Sequence, residues 1–321
     1  MLKHFLLAVL CSLLTVVTAA NVAEKNGKTQ YPYIITAEQF STSFIVINPN
    51  VDPLSEAAIV WRYDPLQDWN IDDKYARYFT NPSEAKIVNN GTKLLLTSSG
   101  GICALVDLKK CASDWVVFPE GNTHSAEILS DGNLLTASSA SGGYLTLYDL
   151  KKDRKGSIYK KYVLRRAHTI VFDPKDKLLY VAWKEGIISY KYDPEKVELK
   201  EIRKYNLNRP DLTANTHDLI IDPVDGKLIM SLTRGLIKLD QATGKFELIH
   251  PQRHIKSISA DPKHGLLLTF PDTYKIWWND KLHILGADGK IKQFFRMPHM
   301  RFYKARWIPD NENFWLKNKT Q

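Results

Sequence analysis

His124, His168 and His217 each open a copy of one phrase, and that recurrence restricts the fold of this chain more than any other feature. The copies read His124-Ser-Ala-Glu-Ile-Leu-Ser-Asp-Gly-Asn-Leu-Leu, His168-Thr-Ile-Val-Phe-Asp-Pro-Lys-Asp-Lys-Leu-Leu and His217-Asp-Leu-Ile-Ile-Asp-Pro-Val-Asp-Gly-Lys-Leu. Each is a polar residue, an apolar strand, a turn and a second apolar strand. Copies spaced about 40 to 50 residues apart mark a radially repeated β architecture, in which every unit buries its faces against its neighbours. The histidines then occupy equivalent positions, one per unit.

The remaining chain carries the same punctuation. Short runs rich in β-branched and aromatic residues, such as Phe44-Ile-Val-Ile, Ala58-Ile-Val-Trp-Arg-Tyr, Leu94-Leu-Leu-Thr and Leu178-Leu-Tyr-Val-Ala-Trp, are separated by Asp-Gly, Asp-Pro and Gly-Gly turns. No long amphipathic helix is visible, so the chain reads as all-β. Further copies begin near Ser83 and Ile255, and a degenerate one beginning at Tyr303 runs out before a unit is complete. The strands between residues 31 and 65, conversely, lack a first strand of their own. Together these deficits predict a β-propeller of about six four-stranded blades, its ring closed by pairing C-terminal with N-terminal strands so that no sheet edge stays open. A seventh blade would have to come from the segment Trp61 to Asn81, which reads instead as an elaborated loop.

The first residues carry Lys3 and His4, an apolar run from Phe5 to Val17, and then Thr18-Ala-Ala20. That is the pattern of a secretory signal over residues 1–20, which leaves one domain over 21–321 and a secreted or periplasmic protein. The apolar run is too short to span a bilayer, and no later stretch reaches about 18 apolar residues, so no membrane span is expected; a monomer is expected. A formal net charge of +9 is dispersed among acidic residues. No recognition helix or RNA-binding aromatic signature accompanies it, which argues against nucleic acid as a partner. Nucleophile elbows, phosphate loops and His-Glu-Xaa-Xaa-His are absent. Cys103 and Cys111 flank a polar turn, where they either form a disulfide across a hairpin or remain two thiols.

In a propeller the first strand of each blade lines the axis. Aligned on their turns, the copies gather Lys86, His124, His168, His217, Lys256 and Lys304, with Arg306 as an alternative to Lys304, at one mouth. Three imidazoles could hold a divalent transition metal. Crowded cations call equally for an anionic ligand or for depressed pKa values. In an acid–base reading, His124 or His168 is the base while Lys86, Lys256 or Arg166 neutralises a substrate carboxylate. The plainer alternative gives each histidine a structural hydrogen bond to a neighbouring blade.

The phrases Ile59-Val-Trp-Arg, Asn81-Pro-Ser-Glu-Ala-Lys86, Ser98-Ser-Gly-Gly101, Asn122-Thr-His-Ser-Ala-Glu127, Asp131-Gly-Asn, Ala167-His168, Thr216-His-Asp218 and Lys256-Ser257 resemble those of a family of secreted β-propeller proteins of unknown function, frequent in polysaccharide-degrading bacteria. A looser architectural similarity links the chain to propeller polysaccharide lyases. The resemblance implies the fold; activity follows only by analogy. The expectation drawn from the residues and the resemblance together is an axial His/Lys pocket for an anionic ligand, an acidic uronate-containing glycan, with β-elimination as its chemistry if it is an enzyme. The competing expectation is a non-catalytic propeller that presents its loops to a protein or cell-surface partner.

Overall fold

The computed structural model describes residues 29–140, 142–152, 158–209, 211–212, 215–313 and 316. The expected signal segment therefore lies outside the described residues. The chain divides into two units, Met1–Tyr31 and Pro32–Gln321, and every described strand lies in the second.

Six four-stranded antiparallel sheets form the blades. Blade 1 combines β1 (Ile34–Glu38), β2 (Ser43–Ile47) and β3 (Ile59–Tyr63) with a strand from the far end of the chain. Blade 2 holds β4 (Pro82–Val88), β5 (Lys93–Ser98), β6 (Ile102–Asp107) and β7 (Ala112–Val117). Blade 3 holds β8 (Thr123–Ile128), β9 (Leu134–Ser138), β10 (Tyr144–Tyr148) and β11 (Ile158–Val163). Blade 4 follows as β12 (Thr169–Asp173), β13 (Leu178–Trp183), β14 (Gly186–Asp193) and β15 (Glu198–Asn206), and blade 5 as β16 (Thr216–Ile221), β17 (Leu228–Leu232), β18 (Gly235–Asp240) and β19 (Lys245–His250). Blade 6 holds β20 (Ser257–Asp261), β21 (Gly265–Thr269), β22 (Lys281–Leu285) and β23 (Ile291–Arg296). The last strand, β24 (Phe302–Trp307), pairs with β1 and closes the ring as the inner strand of blade 1.

The apolar runs are continuous because both faces of each sheet are buried between blades. In blade 2, Leu94, Leu96, Ala104 and Val106 pack towards blade 1, while Leu95, Cys103 and Leu105 pack with Ala126, Leu134 and Tyr148 of blade 3. The repeated turn has a backbone reason. Its last residue is left-handed in Gly91 (φ +78°), Gly132 (φ +88°) and Gly226 (φ +73°), and Lys177 (φ +61°) takes the same conformation in blade 4.

The segment after Trp61 is not a seventh blade. Its 3-10 turns, Pro65–Gln67 and Asp73–Phe79, are fastened to blade 2: the Asp68 carboxylate accepts from Tyr63 Oη and from the Ser113 amide, both at 2.7 Å. Nor is there a disulfide. Cys103 lies within β6 opposite Thr97 and Val117, whereas Cys111 sits in the turn with φ +56° and donates to the Arg62 carbonyl. The hairpin register therefore does not set the two sulfurs opposite each other. Among the described residues, no helix is long and apolar enough to cross a membrane.

Candidate axial ligand pocket

The six inner strands neighbour one another around the axis, and their hydrogen bonds define a common register. The side chains of Ser125, Asp218 and Ser257 accept from the amides of Ile170, Ile258 and Ala305 in the next blade, at 3.1, 2.8 and 3.1 Å. One level towards the mouth, that register aligns His124, His168, His217, Lys256 and Tyr303; pairing of Pro82 with Ser98 and of Thr123 with Ser138 adds Ser83. In β4, β8, β16 and β24 this level coincides with a register shift. A bulge inserts an extra residue and turns its side chain away from the regular alternation. Bulging thus aims His124 and His217 at the mouth.

The imidazoles meet. His124 and His168 stack with centroids 4.1 Å apart and planes at 17°, and His168 meets His217 edge-on at 5.2 Å. Lys256 Nζ lies 2.9 Å from His217 Nε2, and the ring of Tyr303 is 5.9 Å from that of His124. Above them opens a cavity of about 440 Å³, lined also by Arg166, Trp277, Gln39, Asn81, Asn122 and Asn215.

Burial keeps the histidines uncharged. It pushes His124 down to about 3, with nearby Lys304 adding to the effect. His168 and His217 are held well below the usual imidazole range by burial and by neighbouring histidines and lysines. Burial also draws Lys256 down to about 8. A lysine ammonium donates three hydrogens and accepts none, so it donates to His217 Nε2 and leaves the ring hydrogen on Nδ1. His124 Nδ1, His168 Nε2 and His217 Nδ1 are buried without a hydrogen-bond partner. None of these three atoms is spent on a neighbouring blade, although His217 Nε2 meets Lys256 at the start of blade 6.

Two members of the expected basic ring lie elsewhere. Lys304 is one level deeper than Tyr303 and fully buried; its Nζ is 3.3 Å from both Glu84 Oε1 and Asp218 Oδ1. Lys86 is deeper still, held by Glu127 at 3.0 Å and by the carbonyls of Ala126 and Ile170, and it lines a separate cavity at the opposite mouth. Arg306 also faces that side, with Nη2 2.6 Å from Glu84 Oε1 and 2.8 Å from Asp218 Oδ1. These cations are neutralised inside the channel. Burial works to raise the Glu84 carboxyl, yet Lys304, Lys86 and Arg306 together hold it below the usual range.

The three-histidine metal expectation gains no support from this arrangement. Among the described residues, no group of three or more His, Cys, Asp or Glu side chains is arranged to hold a metal ion.

Residues 2–320 match the model of a family of unknown function, DUF6528. The chain belongs to that family. No curated protein matches the sequence. Among solved structures, the fold is similar to a protein of unknown function from Bacteroides caccae (13% identity, TM-score 0.57, covering 87% of this chain and 100% of that one). It is also similar to a protein from Lactobacillus plantarum (16% identity, TM-score 0.53, covering 72% and 75%). Identities this low show the fold alone.

For this DUF6528 member, sequence reasoning located His124, His168, His217, Lys256 and Arg166, all of which line one cavity. It missed the amide-bearing rim. Asn122 and Asn215 each stand two residues before a pocket histidine, in the repeated tripeptide Asn-Thr-His, and Asn81 and Arg166 take the same place in blades 2 and 4. The repeated tripeptide was the available signal.

Proposed function

We propose that the axial pocket binds an anionic ligand, the end of an acidic, uronate-containing glycan, and that it works as a binding site. The observation that carries this reading is Lys256. It is partly buried in a cavity whose lining includes a second cation, Arg166, and no carboxylate. Among the described residues, neither cation has an Asp or Glu within ion-pair distance. Taking an ammonium out of water without a counter-ion is costly, and a ligand carboxylate offsets that cost. Amide side chains and the half-exposed indole of Trp277 supply the polar and flat surfaces that a sugar ring meets.

Binding is favoured over β-elimination by the state of the histidines. A general base works best with a pKa near the operating pH. His124, drawn down to about 3, is far from that.

The test is calorimetric titration with oligogalacturonate and with neutral glucose oligomers of equal length. The acidic oligomer should bind, and Lys256→Met should weaken it by about 10- to 100-fold, the worth of a charge-assisted hydrogen bond. Failure of every acidic sugar to bind, or binding unaffected by Lys256→Met, overturns the reading.

A second reading rests on the loop before blade 2, where Trp69 and Leu66 stand 85% and 57% exposed on turns that Asp68 anchors. A fixed, exposed indole is a natural protein-contact residue.

A further inference from the structure

Lys256 has a second chemical capacity. Its nitrogen projects into the 440 Å³ cavity, lacks a carboxylate partner among the described residues, and sits 2.9 Å from a neutral imidazole nitrogen. We infer that Lys256 is a nucleophile that condenses with small carbonyl compounds, anionic aldehydes and 2-oxo acids above all, to form an imine on Nζ. The preference for an anionic carbonyl compound rests on the cationic lining used above, with Arg166 as the second positive group; the condensation itself does not need a glycan.

A lysine becomes a good nucleophile when its surroundings disfavour the ammonium and a neighbour can accept its proton. Burial meets the first condition, and solvent at the open cavity takes the proton, since His217 is held uncharged. Burial brings the Lys256 pKa down to about 8, so about one molecule in ten carries the free amine at pH 7, against well under one in a thousand for an ordinary lysine. No titratable carboxylate lines the cavity to restore the charge; the titratable groups lining it with Lys256 are His124, His168, His217 and Tyr303, with Arg166 at the rim, and His254 lies near enough to feel the Lys256 charge.

The steps balance without a further reagent. The ammonium yields one proton to solvent, and the Nζ lone pair attacks the carbonyl carbon while the C=O π electrons move to oxygen. A proton passes from nitrogen to that oxygen, with His217 Nε2, 2.9 Å from Nζ, accepting a hydrogen bond from the nitrogen and holding it in place. The carbinolamine hydroxyl then takes up the proton first released and leaves as water, giving Nζ=C as an iminium. In total, ammonium and carbonyl become iminium and water.

The experiment incubates the full chain with glyoxylate and cyanoborohydride between pH 6.5 and 9, then maps carboxymethylated lysines by peptide mass spectrometry. Lys256 should be labelled at least about tenfold faster at pH 7 than exposed Lys109, with a rate that levels off above pH 8. His217→Gln should slow Lys256 without changing Lys109, and Lys256→Arg should abolish labelling at that position while circular dichroism shows an intact fold. Labelling of Lys256 no faster than Lys109 overturns the inference. Sugar binding without selective labelling would remove this inference alone, and selective labelling without sugar binding would remove the glycan reading alone.

Discussion

Lys304 and Glu84 meet inside the channel, Nζ to Oε1 at 3.3 Å, from opposite ends of the propeller's sequence and both essentially excluded from solvent. Lys304 also reaches Asp218 Oδ1 at 3.3 Å, Thr169 Oγ1 at 3.1 Å and the His124 carbonyl at 3.3 Å. One side chain on the closing strand thus touches blades 2, 3, 4 and 5.

Removing one partner from such a network leaves buried charge uncompensated. Lys304→Met should destabilise the fold by about 3–5 kcal/mol, read as a lower urea midpoint at unchanged slope. Glu84→Gln combined with Lys304→Met should recover part of that loss. Additive losses would show that the two groups are not coupled.

The histidines predict an acid limb. Their folded pKa values lie below the unfolded value near 6.5, so between about pH 6.5 and 3 the unfolded chain binds protons that the folded one refuses. Stability is then fully present above pH 6.5 and falls as pH drops, by up to about 1.4 kcal/mol per pH unit for each such group. Glu84 is depressed from the ordinary carboxylate range, so its own contribution is lost only at lower pH. His124→Phe should therefore flatten the urea-derived stability profile between pH 6.5 and 5, and an unchanged slope there would refute the assignment.

Anion binding should have an alkaline limit. Lys256 carries its charge below about pH 8 and loses it above, so affinity for an acidic oligosaccharide is expected to be flat from pH 6 to 7 and to decline about tenfold per pH unit once the ligand-free pKa is passed. Arg166→Lys should leave that midpoint in place. Titrations at constant ionic strength would measure both.

Gly143 positions Arg166. It is left-handed, with φ +68°, and an added Cβ would come within 2.3 Å of the Arg166 amide nitrogen and 2.5 Å of the Leu164 carbonyl. Gly143→Ala should cost more than about 1 kcal/mol and weaken anion binding by displacing the segment that carries the guanidinium. A stability loss with unchanged affinity would separate the two roles.

How far the sequence could be read follows from its turns. Eight positions separate His124 from Gly132, and eight separate Ser83 from Gly91. Counted from the left-handed turn residue, Ser83 belongs beside the histidines. Lys86, only five positions from Gly91, falls three residues further along the strand, so aligning the whole phrase rather than its left-handed residue puts it at the wrong level. Tyr303 had no such ruler, since β24 pairs with β1 rather than with a strand that follows it. The counter-ions were hidden for a different reason. Glu84 and Asp218 share their level with Ser125, Thr169, Ser257 and Lys304, a set with no common chemistry, and only three-dimensional closure brings those charges together.

Ring closure by β24 also imposes an order on biosynthesis. Every other described strand leaves the ribosome first, so the nascent chain holds its three pocket histidines beside a gap until Tyr303 and Lys304 arrive. Glu84 and Asp218 wait in the same interval without the cation that neutralises them across the axis. A chain released before β24 would therefore carry most of the pocket's residues and none of its working geometry, so ligand capture would report that the closing strand had been made and docked.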